Sequence, residues 1–178
     1  MKYIEKQFNK KYVFIGKVFN ARNDEVKLIN NKIVNREVIE HCGGACGIAI
    51  NKNDEIYFVK QYRYALEEEL YEIPAGKLEK NENPLDCIRR EFLEEAGVKA
   101  KTINYLGEYY PSPGISNEKI FIYYTDDFES VENKLDENEF LDVEIIKLSR
   151  VLEMIDSGII KDMKSVVAIL KYNRLKKY

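Results

Sequence analysis

The 178-residue chain is long enough to bury one core, and its 45% hydrophobic and 33% charged residues are ordinary globular proportions. A net charge of −3 gives no electrostatic attraction to nucleic acid or to an anionic membrane surface. No apolar run is long enough for a membrane helix and nothing near Met1 resembles a signal peptide, so the cytoplasm is the expected compartment.

In chain order, residues 12–18, 25–29 and 32–34 alternate apolar and polar side chains and read as short strands. Turns are expected at Asn23-Asp24 and Asn30-Asn31. After His41-Cys42-Gly43-Gly44 comes a small-residue strand over 45–50. The turn Asn51-Lys52-Asn53-Asp54 leads into a strand over 55–64, and Glu67-Glu68-Glu69 reads as an acidic loop. Asn83-Pro84 opens a helix: Asn is a good N-cap, and proline lacks only an N–H that the first turn would not use. Asp86 suits the positive end of that helix, and Gly97 is a natural stop. Leu85, Ile88, Phe92 and Ala96 form its apolar stripe.

Further on, strands over 102–110 and 119–125 flank the loop Pro111-Ser112-Pro113-Gly114. An acidic loop follows over 129–138, then a last strand over 140–148. Ser149 is predicted to cap a helix that Gly158 stops, and another helix runs to Leu175. Many strands with one internal and two terminal helices read as a mixed α/β sandwich. Residues 1–40 form a small antiparallel β segment ahead of a domain over 41–178. The cysteines, Cys42, Cys46 and Cys87, are expected to be reduced, small buried thiols, because no second ligand pair stands at zinc spacing.

The helix carries chemistry on its other face. Glu91, Glu94 and Glu95 stand at i, i+3 and i+4. Three carboxylates crowded there repel one another unless a cation neutralises them, and hard oxygen donors suit Mg²⁺, with Mn²⁺ the other fitting ion. A bare E-x2-E-E is more often a solvated acidic face. Here Gly76, Glu82, Arg90 and Gly97 stand in fixed register with the three glutamates, and apolar Phe92 and Val98 fill the remaining slots.

That pattern, G-x5-E-x7-R-E-U-x-E-E-x-G-U with U an apolar residue, is complete, and the chain resembles the Nudix hydrolases, which cleave nucleoside diphosphates linked to another moiety. The resemblance covers residues 41–178 and implies an α-β-α sandwich with a mixed sheet. The approach to the box, Tyr62-Arg63 and Glu72-Ile73-Pro74-Ala75-Gly76, resembles that of ADP-ribose pyrophosphatases. So do Pro113 fifteen residues past the box, the loop Ser112-Pro113-Gly114 to Glu118, the acidic Glu137-Asn138-Glu139, and Asp162-Met163-Lys164-Ser165 before an apolar helix.

The resemblance implies metal-dependent hydrolysis of ADP-ribose, or a related nucleoside diphosphate sugar, to AMP and ribose 5-phosphate. The Ala75 carbonyl, Glu91, Glu95 and Glu139 are the implied metal ligands. Glu137 is the implied general base, and Glu94 is either a further ligand or a carboxylate that positions water. Substrate contacts are assigned to Arg63, Arg36, Glu118 and Pro113, and structural roles in the box to Gly76, Glu82, Arg90 and Gly97. On chemistry alone Arg63 could instead pair with the Glu67–Glu69 run, Arg36 could be a plain surface residue and Glu137 a solvated loop acid. His41, the one histidine, reads as structural. A homodimer built through residues 1–40 is implied, since so small a β piece is marginal alone. Two other functions stay open: a Nudix hydrolase of another sugar nucleotide or a nucleoside triphosphate, and a silent ADP-ribose-binding module. Arg63 and Pro113 weigh against triphosphates, and the retained glutamates weigh against a silent module.

Overall fold

Nine consecutive residues of the N-terminal segment pair continuously with the strand that follows them. The computed structural model describes residues 3–135 and 140–176. Its first compact unit joins residues 1–43 to 110–119, and its second comprises 44–109 with 120–178. In the first unit, β3 (Phe19–Lys27) pairs along its whole length with β4 (Ile33–His41), while β1 (Lys6–Asn9) and β2 (Tyr12–Ile15) pair with its two halves. All these pairings are antiparallel.

The turn at Asn30-Asn31 is present, with Asn31 at a positive φ of 67°. The expected turn at Asn23-Asp24 is not, because both residues lie inside β3. The Asn23 N–H donates to the Lys11 carbonyl (2.8 Å) and the buried Asp24 carboxylate takes the Arg22 guanidinium (3.1 Å). The continuous β3–β4 ladder, in which Asn23 lies opposite Glu37 and Asp24 opposite Arg36, thus outweighs the local turn chemistry of these residues. Loop 110–119 is fastened to β4: the Ile39 N–H donates to the Ile115 carbonyl (2.7 Å) and the Asn117 N–H to the Ile39 carbonyl (3.2 Å).

The second unit is built on β5 (Gly44–Ala49), β6 (Glu55–Arg63), β7 (Glu68–Glu72) and β8 (Ala75–Lys77), then α1 (Pro84–Glu94) and β9 (Val98–Ala100). There follow β10 (Asn104–Tyr109), β11 (Ile120–Thr125), β12 (Phe128–Ser130), β13 (Leu141–Lys147), α2 (Leu148–Asp156) and α3 (Met163–Leu175). A four-stranded sheet runs β10-β11-β5-β8, with β11 parallel to β5 and the other pairs antiparallel; a second sheet runs β13-β6-β7. Glu68 and Glu69, expected in a loop, belong to β7, where Glu69 lies opposite Tyr62 and its carboxylate reaches the Lys60 ammonium diagonally at 3.0 Å.

Alternation along β5 and β6 makes the layers. Ala45, Ala49 and Tyr57 join Cys87, Ile88 and Phe92 of α1 in one buried cluster. Cys46, Ile48, Ile50, Ile56 and Phe58 join Val151, Met154, Ala168 and Ile169 of α2 and α3 in the other. Helix, strands, helices: this is the expected mixed α-β-α sandwich. Burying each large aliphatic or aromatic side chain on these faces contributes roughly 1.5–3 kcal/mol.

The helix ends follow local chemistry in two cases of three. Asn83 caps α1, its side chain accepting from the Leu85 N–H (2.9 Å), and Asp162 caps α3 through the Ser165 N–H (3.1 Å). Ser149 does not cap α2, which begins at Leu148 with no side-chain cap. Buried Leu148 and Val151 fix that start by packing. Among the described residues, no helix is long and apolar enough to cross a membrane.

Candidate functional site

The acidic face of α1 lies against β8. Glu91 and Glu95 are one helical turn apart, and both are buried. Glu95 Oε2 accepts the Ala75 N–H at 2.9 Å. Glu91 presses so closely on the next residue that a Cβ at Gly76 would stand 1.6 Å from Glu91 Oε1. Only glycine fits there. The two carboxylates therefore meet the backbone of residues 75–76, which brings together three of the four sequence-assigned metal ligands. Gly97 ends the segment with φ +61°, a conformation that glycine adopts at no steric cost.

Arg90 organises the remaining acids. Its Nη1 donates to Glu91 Oε1 (2.6 Å) and Glu94 Oε2 (3.0 Å), and its Nε to Glu82 Oε1 (3.3 Å). Glu82 also accepts the Glu79 N–H at 2.9 Å, which ties the loop before α1 to the helix. Burial alone would raise the Glu82 carboxyl, but the Glu79 N–H and the Arg90 guanidinium outweigh it and hold its pKa below the ordinary value. Three carboxylates share one guanidinium, so these four side chains carry net negative charge. Cys87 packs under the cluster; burial pushes its thiol, and that of Cys46, up to about 12, so neither is a ready nucleophile. Cys42 is exposed and free rather than a buried thiol.

Arg63 takes a partner that the sequence reading did not weigh. Rather than meeting the Glu67–Glu69 run, its Nε and Nη2 grip both oxygens of buried Glu72, at 2.5 and 2.7 Å. Behind Glu72 lies Lys164, which bonds Glu72 Oε2 and sits 3.0 Å from Asp162. Ser165 accepts the Ile73 N–H at 2.9 Å and donates to Asp162. Glu72, Asp162, Lys164 and Ser165 were not assigned individually from the sequence. The available signal was Asp-x-Lys-Ser at the start of an apolar helix, charge with no evident place in a core.

The other assigned residues fall in the first unit. Arg36 is engaged by Glu5 through Nε (2.9 Å) and Nη2 (2.6 Å). Pro113 is exposed in a turn closed by the Ser116 N–H on the Ser112 carbonyl (2.9 Å). Glu118 comes within 3.6 Å of His41 Nδ1. That nitrogen accepts the Gly43 N–H (3.0 Å), which suits a structural histidine. Glu137 and Glu139 lie outside the described residues.

The NUDIX domain profile matches residues 40–164. The chain belongs to the Nudix family of hydrolases. It is 37% identical to the ADP-ribose pyrophosphatase of Bacillus subtilis (strain 168) over 97% of its own length and 94% of that protein's. At 37% identity it also matches the methanol dehydrogenase activator of Bacillus methanolicus, over 93% of this chain and 90% of that one. A crystal structure of an ADP compounds hydrolase shares the fold, with a TM-score of 0.84 at 17% identity over 97% of this chain and 94% of that one.

Nudix enzymes depend on a divalent metal, and the donor chemistry here fits one. Two buried carboxylates beside a strand backbone offer hard oxygens, the preference of Mg²⁺ and Mn²⁺ alike. Among the described residues, no three His, Cys, Asp or Glu side chains already form a ligand cage.

Proposed function

We propose that this Nudix enzyme hydrolyses the pyrophosphate of ADP-ribose, or of a closely related nucleoside diphosphate sugar, to AMP and the sugar phosphate, using Mg²⁺ or Mn²⁺. The observation that carries this reading is the convergence of Glu91 and Glu95 on residues 75–76, in a chain so similar to an ADP-ribose pyrophosphatase. The Ala75 carbonyl, Glu91 and Glu95 would hold the cation, with Glu139 as the fourth ligand. When bound, the cation supplies charge neutralisation for the two phosphates and makes water more acidic.

The chain's own residues do the rest. Arg90 fixes the rotamers of Glu91 and Glu94 and, through Glu82, the loop before α1. Glu137 removes the proton from the attacking water, whose oxygen displaces one phosphate from the other in line. Glu94 positions that water. Arg63 meets a phosphate through Nη1, the guanidinium nitrogen that Glu72 leaves open. Arg36, Pro113 and Glu118 are substrate contacts on the strength of the resemblance alone.

Residues 1–40 are proposed as the dimerisation segment of a cytoplasmic homodimer, with 41–178 as the catalytic domain. Exposed apolar side chains along the segment, Phe8, Val13, Phe14, Ile15 and Val18 among them, favour burial against a second copy. A light-scattering mass of two chains is expected at micromolar concentration; a one-chain mass would remove the dimer.

The similarity to a methanol dehydrogenase activator favours a second reading, that the physiological role is to stimulate a dehydrogenase. One panel separates these: ADP-ribose, GDP-mannose and dGTP with Mg²⁺, products resolved by chromatography, and a methanol dehydrogenase assay run with and without the protein. AMP and ribose 5-phosphate with little from the other substrates is the expected result. Turnover of another substrate would discard the assignments of Arg63, Pro113 and Glu118. Dehydrogenase stimulation without ADP-ribose turnover would favour the second reading.

A further inference from the structure

We infer that Lys164 is a positioning residue that leaves the charge of Arg63 available to the substrate by sharing the charge of Glu72. The inference rests on the reading of Arg63 as the phosphate contact. Glu72 is 2% exposed, too buried to be left to a single partner without cost. Arg63 approaches it from β6 and Lys164 from the first turn of α3, both reaching Oε2. Lys164 is anchored in turn by Asp162, the N-cap of α3. Two carboxylates face two cations, so the group is neutral as a whole.

The inner three members have small exposures, while the Arg63 side chain is 41% exposed. Arg63 is thus the member from which charge reaches solvent, and its Nη1 has no hydrogen-bond partner among the described residues. Burial would lower the Lys164 ammonium, but Asp162 and Glu72 together raise it, so it stays charged at neutral pH. Without Lys164, Arg63 would stand before two carboxylates. The group would carry one net negative charge, facing an anionic pyrophosphate, and Glu72 would lose the partner that fixes its rotamer. Ser165 binds the Ile73 N–H from the same turn, so the anchor also steadies the chain that runs into Ala75.

The test is a double-mutant cycle on ADP-ribose hydrolysis with Lys164→Met, Arg63→Ala and both together, with Lys164→Arg as the charge-retaining control. Arg63→Ala should raise KM by roughly tenfold or more, the scale of one charge-assisted hydrogen bond. Lys164→Met should raise KM to a similar degree with kcat within about twofold, as loss of uniform binding predicts. Lys164→Arg should restore most of it. In the double variant KM should match that of Arg63→Ala, because the lysine has nothing left to act through. Multiplying losses, or an unchanged KM in folded Lys164→Met, would overturn the inference while leaving Arg63 as the phosphate contact. An unchanged KM in Arg63→Ala would instead remove that contact, and the inference with it. If Lys164→Met does not fold, Lys164→Gln, which removes the same charge but keeps a polar head for Glu72, takes its place in the cycle with the same expectations.

Discussion

Two charged clusters in the second unit are built on opposite principles. Around Arg90, one guanidinium serves Glu82, Glu91 and Glu94, so acid exceeds base. Around Glu72, two carboxylates meet two cations and the sum is zero. The first is organised but not neutralised, which suits a cluster that works by taking up a cation from solution. The second is complete within the chain and serves to aim one arginine. The contrast separates residues that need a metal from residues that need only each other.

The largest expected effect is at Glu95, the buried carboxylate next to the first cluster on the same helix. Glu95→Gln keeps an oxygen for the Ala75 N–H but removes a charge, so kcat should fall by roughly 10²–10³-fold while the melting temperature changes little. Wild-type turnover would contradict the metal assignment. Gly76→Ala should follow, since its methyl would occupy the place of Glu91 Oε1. A loss of about 1–3 kcal/mol in chemical denaturation is expected from overpacking, with activity down about a hundredfold as the carboxylate is displaced. An active, stable alanine variant would mean that Glu91 does not need its present position.

The second cluster should reveal itself through pH. Burial would raise the Glu72 carboxyl, but Arg63 and Lys164 prevail and hold it below its ordinary 4.5. A depressed carboxyl contributes stability that is fully present above the unfolded pKa and is lost as pH falls through the folded one. The gap in melting temperature between wild type and Glu72→Gln should therefore be full above pH 4.5 and close below it. A gap independent of pH would mean that the charge of Glu72 does not stabilise the fold. The smallest effect is expected at Asn83→Ala, which removes a cap from α1 at a cost of about 1 kcal/mol. Its kcat should stay within about twofold of wild type; a large loss would tie the helix entry to catalysis.

What could be read from the sequence was local. Asn83, Pro84 and Gly97 bound α1, and Ile88, Phe92 and Ala96 mark its buried stripe, because caps and helical spacing act within a few residues. The acid and glycine register of the box carried the candidate metal site for the same reason. Long-range partners were not legible. Arg63 had Glu67, Glu68, Glu69 and Glu72 within reach in sequence; the β6–β7 register sets it opposite Glu68, yet its guanidinium turns along the same face to buried Glu72. Asn23-Asp24 carries turn chemistry, yet the Lys11 carbonyl and the ladder with β4 hold it in a strand. Little in chain order signals that loop 110–119 is fastened to β4, since apart from the Asn117 side chain on the His41 N–H that attachment is made by backbone groups common to every residue.

Cleavage of a nucleotide sugar at the acid-rich cluster on α1 requires a metal. That requirement is tested most directly by following ADP-ribose with the wild-type protein in Mg²⁺, after chelation, and after Mg²⁺ is restored. AMP and ribose 5-phosphate are expected in the first sample, none in the second, and full recovery in the third. Undiminished product formation under chelator would contradict it.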